Sequence, residues 1–313
     1  MSMQFVKLAE QAAQDGKIDT SELLSLRQMS WGDGAIHRGE AEAIFALNNT
    51  LTLRDNAWVD FFVEAIGEFV LNGTEPRGVC DDAEARWMID QVDHDGKLES
   101  MAELELLVRV IERAQNVPDI LKHFTLKHIE QAVLTGKGPT RDGGDLAACH
   151  ISTAECALMR RVIFASGGHG PAAVSRYDAE MLFRLKDATL NKDNALDWQQ
   201  LFVDGVANYV KGFALKNAQL SHERVKELES FVADNRVNMG RFFGQMAREL
   251  PNTANHIGKV FGKKAPRESY TDLEAAGNQV TDNEAKWLDS MVQVDGEVDA
   301  LERALLDRIA DEA

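Results

Sequence analysis

The chain has little of what would cross-link, anchor or stiffen it. Its 313 residues include three cysteines and six prolines. Three thiols (Cys80, Cys149 and Cys156) cannot all pair, and their spacing shows no framework, which excludes a disulfide-stapled scaffold and points to a reducing compartment. No apolar run approaches the ~20 residues that a helix needs to cross a bilayer, so no transmembrane segment is expected. The opening residues Met1 to Lys7 hold no apolar signal core, and a cytoplasmic protein is expected. Positive charge is scarce as well: 34 Lys and Arg stand against 51 Asp and Glu, a net charge of −17. Phosphate backbones need a basic footprint, so nucleic acid is excluded as a partner of the acidic body, whereas cations and protein partners suit it. Catalytic signatures are missing too. There is no nucleophile elbow, phosphate loop or dinucleotide fingerprint, and Gly167-Gly168-His169-Gly170 lacks the Lys-Ser/Thr of a phosphate cradle. The chain therefore reads as non-enzymatic.

What is present is a helical pattern. Hydrophobic content of 44% and charged content of 27% suit a globular core, and the length suits two domains. Phe61, Phe62, Ala65, Ile66, Phe69 and Val70 share one face at helical spacing. Leu104, Leu107, Val108, Val110 and Ile111 do the same, as do Leu301, Leu305, Leu306 and Ile309. No stretch alternates with period two, so the expected class is all-α.

The sequence also repeats itself. Glu84-Ala85-Arg86-Trp87-Met88 matches Glu284-Ala285-Lys286-Trp287-Leu288, and the match runs on from Asp95-Gly96 to Asp295-Gly296. Phe62-Val63-Glu64 matches Phe202-Val203-Asp204, and Ile18 to Glu22 matches Ile151 to Glu155. Conserved order with slowly drifting spacing predicts two tandem duplicated helical domains, 1–140 and 141–313, meeting near the Gly-rich turn at 136–144. The second carries about 60 extra residues near 213–278. Within them, 235–267 holds seven Lys or Arg against Glu249 alone, mixed with glycine and aromatics. That basic insert is expected either to be a solvated linker or to dock an anionic surface.

The helices are joined by a recurrent phrase, Asp-Gly-x-aliphatic followed by an acidic or capping residue and a later Glu. It occurs at Asp15, Asp33, Asp95 and Asp295. Part of it is helix punctuation. Gly tolerates the left-handed turn that ends a helix, and Ser, Thr or Asp followed three residues later by Glu or Gln starts the next one. Asp19/Glu22, Ser100/Glu103, Ser152/Glu155, Asp197/Gln200 and Asp299/Glu302 fit that capping box, as does Ser175/Asp178 with a shorter acid. An apolar residue precedes each cap: Ile18, Leu98, Ile151, Leu196, Val298 and Val174.

The same phrase resembles the EF-hand calcium loop, which sets oxygen ligands around a Gly at position 6 and ends on an acidic ligand at position 12. This resemblance implies divalent-cation ligands at Asp93, Asp95, Glu99 and Glu103 in the best-furnished turn, at Asp15, Asp19 and Glu22 in the first, and at Asp295, Asp299 and Glu302 in the last. The loops depart from the pattern, since position 1 is Gln11, Met29, Gln91 or Met291. Asp295 to Arg303 is also similar to the turns of the TerB-like tellurite-resistance family, which implies a small all-helical fold whose acidic turns hold divalent cations. The resemblances together imply weak Ca²⁺ binding coupled to binding of a protein partner. The alternative is a structural adaptor with vestigial loops and no metal. Other metal readings are thinner: His123 and His128 are five apart and do not share a helix face, and Cys149, His150 and Cys156 lack a fourth zinc ligand. The paired tryptophans Trp87/Trp287 and Trp58/Trp198 are expected in the core.

Overall fold

The computed structural model describes residues 16–32, 34–93, 96–141, 148–165, 174–210, 282–292 and 298–311. Among them the chain forms eleven α-helices: α1 (Thr20–Ser30), α2 (Arg38–Thr50), α3 (Asn56–Asn72), α4 (Asp82–Val92), α5 (Met101–Arg113), α6 (Asp119–Thr135), α7 (Thr153–Ile163), α8 (Arg176–Ala188), α9 (Asp197–Val210), α10 (Asp282–Val292) and α11 (Ala300–Asp311). A 3-10 turn at Pro139–Arg141 separates α6 from α7. No strand forms among the described residues, where Val79 and Asn116 make an isolated bridge. The protein is all-α. The basic insert lies outside the described residues.

Local chemistry explains where the helices begin. Asp19, Asp81, Ser100, Ser152 and Ser175 each accept a hydrogen bond from a first-turn amide, and the acid three positions on accepts the cap residue's own N–H. Each such cap contributes about 1 kcal/mol. Gly16 and Gly96 sit at positive φ, 74° and 79°, in the turns before α1 and α5. A Cβ at Gly16 would lie 2.5 Å from Thr52 Oγ1, so that turn needs glycine for space as well as for conformation.

Two features differ from the sequence reading. Helix α9 starts at Asp197 itself, so this residue opens the helix instead of capping it. Its neighbour Leu196 is 97% exposed and Val298 44% exposed, whereas Ile18, Leu98, Ile151 and Val174 are buried. Those four therefore pack as an apolar residue preceding a cap should, and Leu196 and Val298 do not.

Two sets of five helices share lengths and packing. Helices α1, α2, α4 and α5 have 11, 13, 11 and 13 residues, and α7, α8, α10 and α11 have 11, 13, 11 and 12. In the first set α3 packs on α1, α2 and α5; in the second α9 packs on α7, α8 and α11. An aromatic cluster recurs inside each. Trp87 meets Phe45 and Phe69 edge-on at 5.7 and 5.0 Å, and Phe45 meets Phe62 at 5.3 Å. Trp287 meets Phe183 and Tyr209 edge-on at 5.8 and 4.7 Å, and Phe183 meets Phe202 at 5.2 Å. Edge-to-face pairs at these separations contribute beyond the area they bury.

Helix α6 belongs to neither set and packs against both, on α4 and α5 to one side and α7 and α8 to the other. Charged forks reinforce the junction. Arg161 of α7 grips Glu105 and Glu112 of α5 through four bonds of 2.7–2.8 Å. Arg184 of α8 holds Glu130 of α6 at 2.7 and 3.0 Å. Planar guanidinium forks of this kind add geometric specificity to the charge attraction. Arg141, almost fully buried, pairs with Glu155 at 2.9 Å and also donates to the His150 carbonyl.

Candidate functional site

The acidic turns were the candidate ligands, so the position of each carboxylate decides what the turns can do. Glu22 Oε2 accepts the Asp19 N–H at 2.9 Å, while Asp19 Oδ1 accepts the Ser21 and Glu22 amides at 2.7 and 2.9 Å. Those bonds hold the Asp19 carboxyl below its ordinary range, the Glu22 amide first and the Ser21 hydroxyl second. Glu103 Oε2 accepts from the Ser100 and Glu99 amides at 2.9 and 3.0 Å. Glu302 Oε2 accepts the Asp299 N–H at 3.0 Å, and Asp299 Oδ1 accepts the Leu301 and Glu302 amides at 2.8 and 2.9 Å. Glu22, Glu103 and Glu302 thus close capping boxes, each with an oxygen turned onto its own helix start. Asp93 Oδ1 bonds the Gly96 amide at 2.7 Å and braces the α4–α5 turn, and Glu99 is exposed. Asp15, Asp95 and Asp295 lie outside the described residues. Among the described residues, no three His, Cys, Asp or Glu side chains gather as a metal would need.

The two sets differ at one buried node. Position eleven of α2 is Asn48, and position eleven of α8 is Lys186. Asn48 accepts from Trp58 Nε1 at 3.1 Å and from Arg54 Nε at 3.1 Å, and its amide donates to Glu103 Oε1 at 3.3 Å. Lys186 is 2% exposed. Its ammonium donates to Glu302 Oε1 at 2.6 Å, Asp299 Oδ2 at 2.8 Å and Asp187 Oδ1 at 2.8 Å. Burial alone would lower the Lys186 pKa, but the three carboxylates outweigh it and raise the value. In turn, Lys186 overcomes the effect of burial on Asp299 and holds that carboxyl below its usual range. The exchange leaves a trace: a lysine offers no acceptor, and the Trp198 Nε1 is buried without a partner, whereas Trp58 Nε1 has Asn48.

The reactive side chains elsewhere are quiet. Burial pushes the Cys156 thiol up to about 12 and raises Cys80 as well, so both stay protonated. Burial also raises Asp178, but that carboxylate closes the Ser175 capping box. Burial lowers Lys122, which lines neither of the two hollows described next.

One hollow, of about 530 Å³, lies between the α4–α5 turn and the far end of α6. A second, of about 500 Å³, is a more open groove between α9 and α11 beside Leu196. Sequence reasoning missed Lys186, Asn48 and the first hollow. The Lys186 signal was available, because that lysine falls i+4 from Leu182 and i+3 from Phe183 on an otherwise apolar helix face. No protein-family model, curated protein or solved structure matches the chain.

Proposed function

We propose that the chain is a non-enzymatic adaptor, two copies of one five-helix unit joined through α6, whose acidic turns start helices instead of holding ions. The observation that carries this reading is the fate of the terminal acids: Glu22, Glu103 and Glu302 all bond the backbone of their own cap residues. The duplication is supported by the equal lengths of α1 and α7, α2 and α8, and α4 and α10, by the repeated aromatic cluster and by the equivalent packing of α3 and α9. In the second unit the Lys186 ammonium already occupies the place beside Asp299 and Glu302 that an ion would take. Vestigial EF-hand-like and TerB-like turns on a soluble scaffold would leave function to exposed surfaces and a protein partner. The basic insert would then dock an anionic surface.

A second reading, weak Ca²⁺ binding coupled to partner binding, rests on the α4–α5 turn, where Gly96 keeps the left-handed conformation and Glu99 stays exposed. Calcium titration calorimetry on the full chain separates the two. The adaptor predicts no heat of binding up to millimolar Ca²⁺. Saturable heat that disappears in Asp93→Ala would establish the second reading.

A further inference from the structure

The hollow beside the α4–α5 turn has an unexpected lining for so acidic a chain. Its walls are Gly96, Lys97 and Leu98 from the turn, His128, Gln131 and Thr135 from α6, and Lys137 to Pro139 beyond it. Among the described residues no carboxylate lines it, although the whole chain carries a net charge of −17. Lys97 from the turn and Lys137 from beyond α6 are exposed, while Leu98 and Pro139 are buried and supply apolar surface. His128 is 7% exposed. Its ring packs on Phe124 at 4.4 Å. The volume of about 530 Å³ falls within the range of small-molecule sites, which are mostly apolar with a few placed polar groups.

We propose that this hollow is a binding site for a small organic anion: Lys97 and Lys137 meet its charge, His128 and Gln131 bond its polar atoms, and Leu98 and Pro139 pack its apolar body. Among the described residues the acid acting on His128 is Asp93, whose Oδ1 is engaged by the Gly96 amide. Burial lowers the His128 pKa, which keeps the ring neutral near pH 7 and able either to donate or to accept. Lys127 on the same helix acts on the ring in the same direction.

The test uses the full chain, isotope-labelled, with the His128 ring signals followed by NMR. Sodium benzoate is titrated as the organic anion, inorganic phosphate as an anion without an apolar body, and benzylammonium as the cationic counterpart. The site predicts a saturable His128 shift with benzoate, at least several-fold tighter than with phosphate, and none with benzylammonium. In the Lys97→Gln, Lys137→Gln double variant, benzoate binding weakens ten-fold or more while helix content is unchanged. Both lysines are exposed, so the variant keeps its fold. A flat benzoate titration, a shift that persists in the double variant, phosphate binding tighter than benzoate, or equal binding of benzylammonium would each overturn the assignment.

Discussion

Helices α5 and α11 occupy the same place in the two five-helix sets, yet one is wrapped and the other is half bare. On α5, Leu104, Leu106, Leu107, Val108, Val110 and Ile111 are all essentially inaccessible, because α3, α6 and α7 cover it from three sides. On α11, Leu305 is inaccessible, Leu306 is 38% exposed, and Arg303 and Asp307 face water. Aligned on their third-position glutamates, Glu103 and Glu302, Leu104 becomes Arg303 and Val108 becomes Asp307. The sequence has adjusted each helix to its cover, since a continuous apolar surface is tolerated only where other helices remove it from water. The second set compensates with charge. Lys186 ties the end of α8 to the start of α11 across 113 and 116 residues of chain, where the first set makes do with a neutral amide.

The comparison can be broken most severely at that node. Lys186→Met leaves the buried Glu302 and the half-buried Asp299 beside no cation and is expected to cost about 3–5 kcal/mol, measured by urea unfolding. Asn48→Ala, the matching change in the first set, removes hydrogen bonds to Trp58, Arg54 and Glu103 but no charge, and should cost about 1–3 kcal/mol. If the two costs were equal, the charged node would not be what distinguishes the sets. Core truncations come next. Leu107→Ala should cost about 2–5 kcal/mol, whereas Leu306→Ala, at a partly wet position, should cost under about 1 kcal/mol. Acid sharpens the contrast more gently. Asp299 has a folded-state pKa below its unfolded value of about 3.9, so its contribution is complete above that pH and is lost as pH falls through the folded value. Unfolding followed on Trp287 should therefore begin at higher pH in Asp299→Asn than in the parent, because the variant lacks the Lys186 pair at every pH. The smallest effect is a cap: Ser152→Ala should cost about 1 kcal/mol, and Ser100→Ala about the same, by thermal unfolding.

Much of this architecture was legible in the residues. Apolar spacing marked α3, α5 and α11, and cap pairs such as Ser100/Glu103 and Asp299/Glu302 placed helix starts correctly. Trp58, Trp87, Trp198 and Trp287 are all buried, as their matched positions suggested. Local patterns carry such information because a cap or an apolar stripe depends on residues within four positions. Pairings over long separations do not, and that is why the partners of Lys186 and the Arg161 forks were invisible. Leu196 misled for the opposite reason: its spacing from Leu201 imitates a cap-and-staple pattern, but no turn folds back over it. The acidic turns admit two readings of one pattern. Asp-Gly-x-aliphatic-acid serves a capped helix and an ion loop alike, and only the direction of each carboxylate tells them apart.

Amide hydrogen exchange at Asp19, Ser100 and Asp299 tests the central claim most directly, because each of these amides donates to the terminal acid of its turn. Measured with chelator and with millimolar Ca²⁺, the three should show the same protection, the carboxylates remaining on their caps. Selective loss of protection on adding Ca²⁺, as Glu22, Glu103 or Glu302 swings away to an ion, would contradict the account.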